Sequence, residues 1–329
     1  MIIHARAPGR VNLIGDHTDY TGGMVLPMTI DRWTEIRGIP ADNISLRSDD
    51  EPKLAELPLE IDDPASVEPP WARYVAGVVA EMQPPVGISG RVVTDIPIGA
   101  GLSSSAALEL AVALALGFEG DPLSLAQLCR RAEIRASGVP CGIMDQLIIA
   151  AGQAGHALLI DCGNVTIETV RIPEDVDVVV QFVAQRALVG SAYARRVAEC
   201  AAAEAAIGPL RTASLHDTLS IPDPTIRSRA QHVVGENQRV RQFAAALNGG
   251  DLHAAGSLMV DSHNSLRDLY LTSTPAMDSA VERLNAVPGV YGARMTGGGF
   301  GGCVVALTRT GVLTDGWVVR AVDGAHRVD

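Results

Sequence analysis

The sequence predicts a mixed α/β protein of one or two domains. Three observations carry that expectation. The chain has 329 residues and is 47% hydrophobic, enough to bury a sizeable core. Aromatic residues make up only 4%, so the core must rest on Ala, Val, Leu and Ile, which suits helix packed on sheet. Short apolar runs punctuated by glycine alternate with longer segments of helical period.

In chain order, residues 2–7 read as a strand, 7–23 as a loop-rich site and 24–30 as another strand or buried edge. Residues 45–70 are polar and acidic with several prolines, and read as surface loops with short strands. Trp71, Val75 and Val78 recur at helical spacing and predict a helix over 71–82. Residues 90–96 read as a strand that enters a glycine- and serine-rich turn, followed by a helix from about Ser104. A second helix covers 123–138 and stops at Gly138, and 156–163 reads as a strand. The character shifts near residue 175. A strand over 176–185 precedes a long alanine-rich helix, and 224–286 is mostly helical with a break at Gly249 and Gly250. Glycine and strand return over 290–308 and 317–322.

Composition excludes several classes. The formal net charge of −12 disfavours non-specific nucleic-acid binding, although backbone N–H groups can still hold an anion. The 5 cysteines form no C-x-x-C pair and are read as buried thiols in a reducing compartment. Residues 1–10 lack an apolar targeting segment, and the longest apolar run, 106–116, carries Glu109 and is too short to span a bilayer. A cytoplasmic chain without a membrane partner is expected.

Two glycine clusters point to chemistry. Pro97, Gly99, Gly101, Leu102, Ser103, Ser104, Ser105 and Ala106 lie between a predicted strand and a predicted helix. Open N–H groups at such a helix start favour phosphate, although a plain serine-capped turn has the same pattern. The loop is not a Walker A motif, because no lysine follows. The second cluster, Gly297 to Gly302, reads either as a phosphate-shaping backbone or as a crowded turn beneath the first loop.

Charged residues complete the pattern. Arg10, Asn12, Asp16, His17 and Asp19 alternate with apolar Val11, Leu13 and Ile14, as in a lined pocket. Asp145 is flanked by apolar residues, so its carboxylate is paired, functional or a helix cap. Glu133 sits among Arg130, Arg131 and Arg135, and spacing alone reads it as a solvated face. No H-E-x-x-H, G-x-S-x-G or strand-end G-x-G-x-x-G occurs, which argues against zinc, hydrolase and dinucleotide chemistry.

Segments 9–20, 97–107 and 296–302 together resemble the GHMP small-molecule kinases, and 138–146 is similar to their galactokinase branch. The resemblance implies two α/β domains, expected at 1–178 and 179–329. The first would resemble ribosomal protein S5 domain 2 and the second would be ferredoxin-like. It implies ATP-dependent phosphorylation of galactose, or a related monosaccharide, at the C1 hydroxyl, by a monomer that uses Mg2+. Arg10 and Asp145 would be catalytic. Asp16, His17, Asp19, Gly142 and Tyr193 would bind sugar. Trp71 would lie near the nucleotide base, the 97–106 loop would hold phosphate, and Ser104 with Glu133 would hold the metal.

Three departures bear on the sugar. The galactokinase branch usually carries glutamate where this chain has Asp16, at a position near the sixth carbon of the sugar. Residues 180–188 lack the usual Asn or Asp with His, and the pattern resumes at Tyr193. The chain is also short for this branch. Kinases of N-acetylgalactosamine, arabinose or a uronic acid therefore stay open, as does a sugar and ATP sensor without turnover.

Overall fold

Two sheets organise the chain, described here from a computed structural model covering residues 2–185 and 189–328. The first part runs β1 (Ile3–Ile14), β2 (Met24–Ala41), β3 (Ile44–Ser48), β4 (Ala55–Leu57), α1 (Ala72–Met82) and β5 (Gly87–Thr94). It continues through α2 (Ser104–Ala115), α3 (Pro122–Ser137), α4 (Met144–Ala151), β6 (His156–Asp161) and β7 (Thr166–Arg171). These strands form one sheet in the order β12-β1-β2-β5-β3-β4, where β12 is the C-terminal strand His326–Arg327. The pair β6–β7 joins it through β2. All pairings are antiparallel except β3 with β5.

The second part begins with β8 (Val176–Ala184) and the helices α5 (Val189–Ile207), α6 (Leu215–Thr218), α7 (Pro224–Asn248) and α8 (Leu252–Ser265). A π turn at Leu266–Tyr270 leads to α9 (Pro275–Asn285), β9 (Val290–Met295), β10 (Gly302–Arg309) and β11 (Trp317–Val319). Its antiparallel sheet has the order β11-β8-β10-β9. The boundary expected after residue 178 falls inside β8, whose whole length pairs in this second sheet. We propose a division just before β8, with β12 returning to the first unit.

Helix α2 is the hub of the first unit. Ala106, Ala107, Leu110, Ala111 and Ala113 are fully buried, so small side chains line it nearly all round. It packs on α1, α3, α4 and β1. Each buried leucine there contributes roughly 1.5–3 kcal/mol by leaving water. Helix α3 follows its sequence signals closely. Asp121 accepts from Ser124 N at the start, Pro122 takes the first position, and Gly138 ends the helix in the left-handed region.

The structure corrects three local expectations. Residues 7–14 are not loop but the buried end of β1, with pairing irregularities at Pro8/Gly9 and Asn12/Ile14. Polar Arg10 and Asn12 looked loop-like, yet both are buried. Gly9 lets that strand approach the phosphate loop closely, since a Cβ would lie 3.0 Å from the Leu102 carbonyl. Strand β2 is far longer than expected, and β7 was unanticipated. Of the divergent segment 180–188, Arg186, Ala187 and Leu188 lie outside the described residues.

Candidate active site

Strand β1, the turn into α2 and the start of α4 converge on one ion pair. Arg10 donates Nε to Asp145 Oδ1 at 2.7 Å and Nη2 to Oδ2 at 2.6 Å. Its third arm, Nη1, donates to the Gly101 carbonyl at 2.7 Å. The Arg10 backbone N–H reaches the Leu102 carbonyl at 3.1 Å, so strand and phosphate loop are tied by main chain as well. The two-pronged guanidinium geometry fixes the carboxylate plane as well as its charge. Asp145 sits in the first turn of α4, where the helix dipole favours an anion. Ser103 Oγ also donates to Asp145. Ser103 has left-handed backbone, φ 61°, a costly state for a non-glycine that this bond helps to hold.

The pair lines the first of two adjoining cavities. The first, about 360 Å³, is lined by Arg10, Asp16, His17, Asp19, Gly142, Asp145, Tyr193, Gly297 and Gly298, among others. All seven residues expected to be catalytic or sugar-binding therefore face one space. The second, about 560 Å³, is lined by Trp71, Tyr74, Ile98, Gly99, Ser104, Ser105 and Leu108, among others. Tyr74, Ser105 and Ser137 line both.

Charge on the first cavity is tightly arranged. Asp19 begins the short turn after β1, and burial together with the Asp145 charge pushes its carboxyl up to about 7. Gly142 makes room for it: a Cβ there would lie 1.9 Å from Asp19 Oδ2. Asp16 borders the cavity, but its carboxylate is committed to protein. Oδ1 accepts from Asn12 Nδ2 and from Gly297 N, both at 3.0 Å, and Oδ2 pairs with Arg294 at 2.6 Å. Behind this pair Glu236 accepts from Gly15 N at 3.0 Å and from Arg239 Nε at 2.7 Å. Burial alone would raise the Glu236 carboxyl, but Arg239, His232 and Arg294 together hold it down at about 2.

The phosphate-loop residues divide by exposure. Gly99, Ser104 and Ser105 line the second cavity with Trp71, whose indole donates to the Lys53 carbonyl at 3.2 Å. Leu102 and Ala106 are buried beneath, and Pro97 supports the turn by accepting from Ala100 N at 3.2 Å. The second glycine cluster lies on the sugar side. Thr296 Oγ1 donates to the Asn12 carbonyl at 2.8 Å, and Gly297 holds Asp16.

Glu133 is no solvated residue. Its carboxylate accepts from Ser105 Oγ at 3.1 Å and from the Gln146 side chain. Arg131 and Arg135 turn instead to Glu81, and Arg130 to the Cys141 carbonyl. Burial and the Asp145 charge push the Glu133 carboxyl up to about 7. A half-buried carboxylate and a hydroxyl are hard oxygen donors that suit magnesium. The serine at Glu133 is Ser105 and not the expected Ser104, because one step along a helix turns a side chain by about 100°. Among the described residues no group of three or more His, Cys, Asp or Glu side chains could hold a metal ion.

Sequence reasoning missed Arg294, Glu236, Gln146, Tyr20 and Tyr270. Arg294 immediately precedes the Met295–Thr296 step into the glycine cluster, and Gln146 follows Asp145, so position in the motifs was the available signal.

Comparison with known families agrees with this geometry. The GHMP kinases N-terminal domain model matches residues 73–153, and the GHMP kinases C-terminal model matches 243–312. The protein thus has the two-domain GHMP kinase fold. The galactokinase galactose-binding signature matches residues 2–37. Human galactokinase is 44% identical over 92% of this chain and 82% of its own length. The galactokinase of Roseiflexus sp. strain RS-1 is 42% identical over 98% of this chain and 92% of its own length. A crystal structure of Lactococcus lactis galactokinase complexed with galactose superposes with a TM-score of 0.91 at 31% identity, covering 99% of this chain and 95% of that one. The chain belongs to the galactokinase family.

Proposed function

We propose that this chain transfers the terminal phosphoryl group of ATP to the C1 hydroxyl of galactose, giving galactose 1-phosphate and ADP. The observation that carries the reading is the Arg10–Asp145 pair in a carboxylate-rich cavity that shares Tyr74, Ser105 and Ser137 with a second, larger one. The smaller, carboxylate-rich cavity takes the sugar. The larger one, walled by Trp71 and the start of α2, takes the nucleotide.

Asp145 accepts the hydrogen bond of the C1 hydroxyl and takes its proton as the new P–O bond forms and the bond to ADP breaks. Arg10 keeps that carboxylate in place and brings positive charge to the transferring group. Asp19, His17 and Tyr193 hold the sugar, with Gly142 opening the space beside Asp19. Backbone N–H groups of the 97–106 loop face the phosphates. Ser105 and Glu133 would hold Mg2+, which when bound with ATP neutralises phosphate charge.

The net charge supports a reading without nucleic-acid partners, and among the described residues no helix is long and apolar enough to cross a membrane. We infer a cytoplasmic monomer acting on free sugar. Asp145→Asn keeps shape and removes the proton acceptor. Turnover should fall about 10³-fold with ATP affinity within a few-fold of the parent. Near-parental turnover would sink the assignment of Asp145.

A further inference from the structure

A hydrogen-bonded chain of buried and half-buried side chains runs from the second unit into the sugar cavity. Cys200 Sγ on α5 lies 3.1 Å from Tyr270 OH. The Tyr270 hydroxyl shares a 2.5 Å bond with Tyr20 OH, and Tyr20 OH lies 3.0 Å from His17 Nδ1. His17 lines the cavity assigned to sugar. Its backbone is left-handed, φ 65°, a state that persists only where the surroundings over-determine it.

Tyr270 is fixed from every side. It ends the π turn after α8, a local distortion that recurs at functional sites, and it is fully buried. Its ring stands between His17, with centroids 4.7 Å apart, and His232 at 4.5 Å. His232 Nε2 in turn lies 3.2 Å from the Asp16 carbonyl. The tyrosine therefore braces both the ring of His17 and the peptide that leads into it. Solvation does not require this arrangement, since two tyrosines buried for packing alone need not align hydroxyl to hydroxyl toward one imidazole nitrogen.

We propose that Tyr20, Tyr270 and Cys200 are positioning residues that set the tautomer and orientation of His17 for sugar binding. In such a chain each hydroxyl gives its proton in one direction, so the ends are coupled. Fixing the sense at Cys200 and Tyr270 fixes which ring nitrogen of His17 carries hydrogen. Specificity for the sugar then depends on groups the sugar never touches, two of them in the second unit.

The proposal rests on the galactose reading, and the test separates the two. Parent, Tyr20→Phe, Tyr270→Phe, Cys200→Ala and Cys200→Ser enzymes are compared for galactose and ATP KM, with ¹⁵N spectra of the histidine rings. Tyr20→Phe should raise galactose KM about tenfold, as for one lost buried hydrogen bond. Tyr270→Phe should raise it less and Cys200→Ala least, with ATP KM unchanged throughout. Cys200→Ser should stay near the parent. The His17 ring should show one tautomer in the parent and a mixture in Tyr270→Phe. Equal rises in galactose and ATP KM, or an unaltered His17 tautomer in both Tyr→Phe variants, would overturn the proposal. A parent that does not phosphorylate galactose would overturn the galactose reading instead.

Discussion

The two halves of the cleft are built by opposite means. On the sugar side, recognition rests on side-chain charge. Asp19, Asp16 and Asp145 crowd one small cavity, and the partners that hold Asp16 and Asp145 come from both units. On the nucleotide side the wall comes from the first unit, where Trp71, Ile98 and Leu108 stand beside hydroxyls at the start of α2 and only two charged residues, Glu51 and Arg73. A phosphate can be held by N–H groups that any sequence possesses, whereas a sugar hydroxyl is distinguished by where a carboxylate is placed. The difference teaches that substitutions on the sugar side propagate through a network, while those on the nucleotide side stay local.

The largest effect should come from the network itself. Arg294 is fully buried, so Asp16→Ala strands its charge, and losing one partner of a buried pair costs about 3–5 kcal/mol. Chemical denaturation reads this directly. A loss below 1 kcal/mol would mean that Glu236, 4.0 Å from Arg294, already suffices as its partner.

Next is Gly142→Ala, whose added carbon must displace the Asp19 carboxylate. A shift of that order at a substrate-positioning group costs about 10²-fold in kcat/KM for galactose. ATP KM should not move, and an equal loss for both substrates would erase the contrast between the halves. Smaller still is Trp71→Ala, which removes an aromatic wall and should raise ATP KM roughly 5–10-fold with galactose KM unchanged. A change in galactose KM of similar size would show the halves to be coupled through Tyr74 and Ser105.

The smallest effect concerns Glu133. Its carboxyl is raised to about 7 from an ordinary 4.5, so the folded protein holds a proton that the unfolded chain has released between those values. The group's contribution to stability therefore falls as pH rises from about 4.5 through about 7. Glu133→Gln removes that proton exchange. In metal-free buffer the variant's Tm should gain on the parent between about pH 5 and pH 8. A constant offset would mean that Glu133 is solvated after all.

Sequence revealed the first half of this contrast less completely than the second. The phosphate loop is local, and glycines and serines between a strand and a helix carry their meaning within a dozen positions. Arg10 and Asp145 were recognisable because each sits in a dense motif. Their bidentate pairing was not, since it depends on β1 continuing as strand through residues that look like loop. The partner of Asp16 was invisible. Arg294 lies on a distant strand, and nothing in local charge pattern announces a buried guanidinium. Glu133 was misleading for the opposite reason. Neighbouring arginines suggested a solvated face, but Arg131 and Arg135, two residues to either side, pair with Glu81 on α1, and the glutamate turns inward to Ser105. Helical phase brings Ser105 within hydrogen-bond reach of Glu133. Element order was read well through α1, α2 and α3 because alanine runs and end signals are local. The β7 strand failed because five of its six residues are exposed, which leaves no apolar alternation to read.

The most direct test of the account is ATP-dependent phosphorylation across a panel of free sugars, with magnesium present and absent. Galactose, N-acetylgalactosamine, arabinose and a uronic acid would be compared, and the phosphate located on each product. The account predicts magnesium-dependent galactose 1-phosphate as the dominant product, with the uronic acid excluded by the carboxylates of the cavity. Turnover of another sugar with galactose poor, or binding of ATP and sugar without any product, would contradict it.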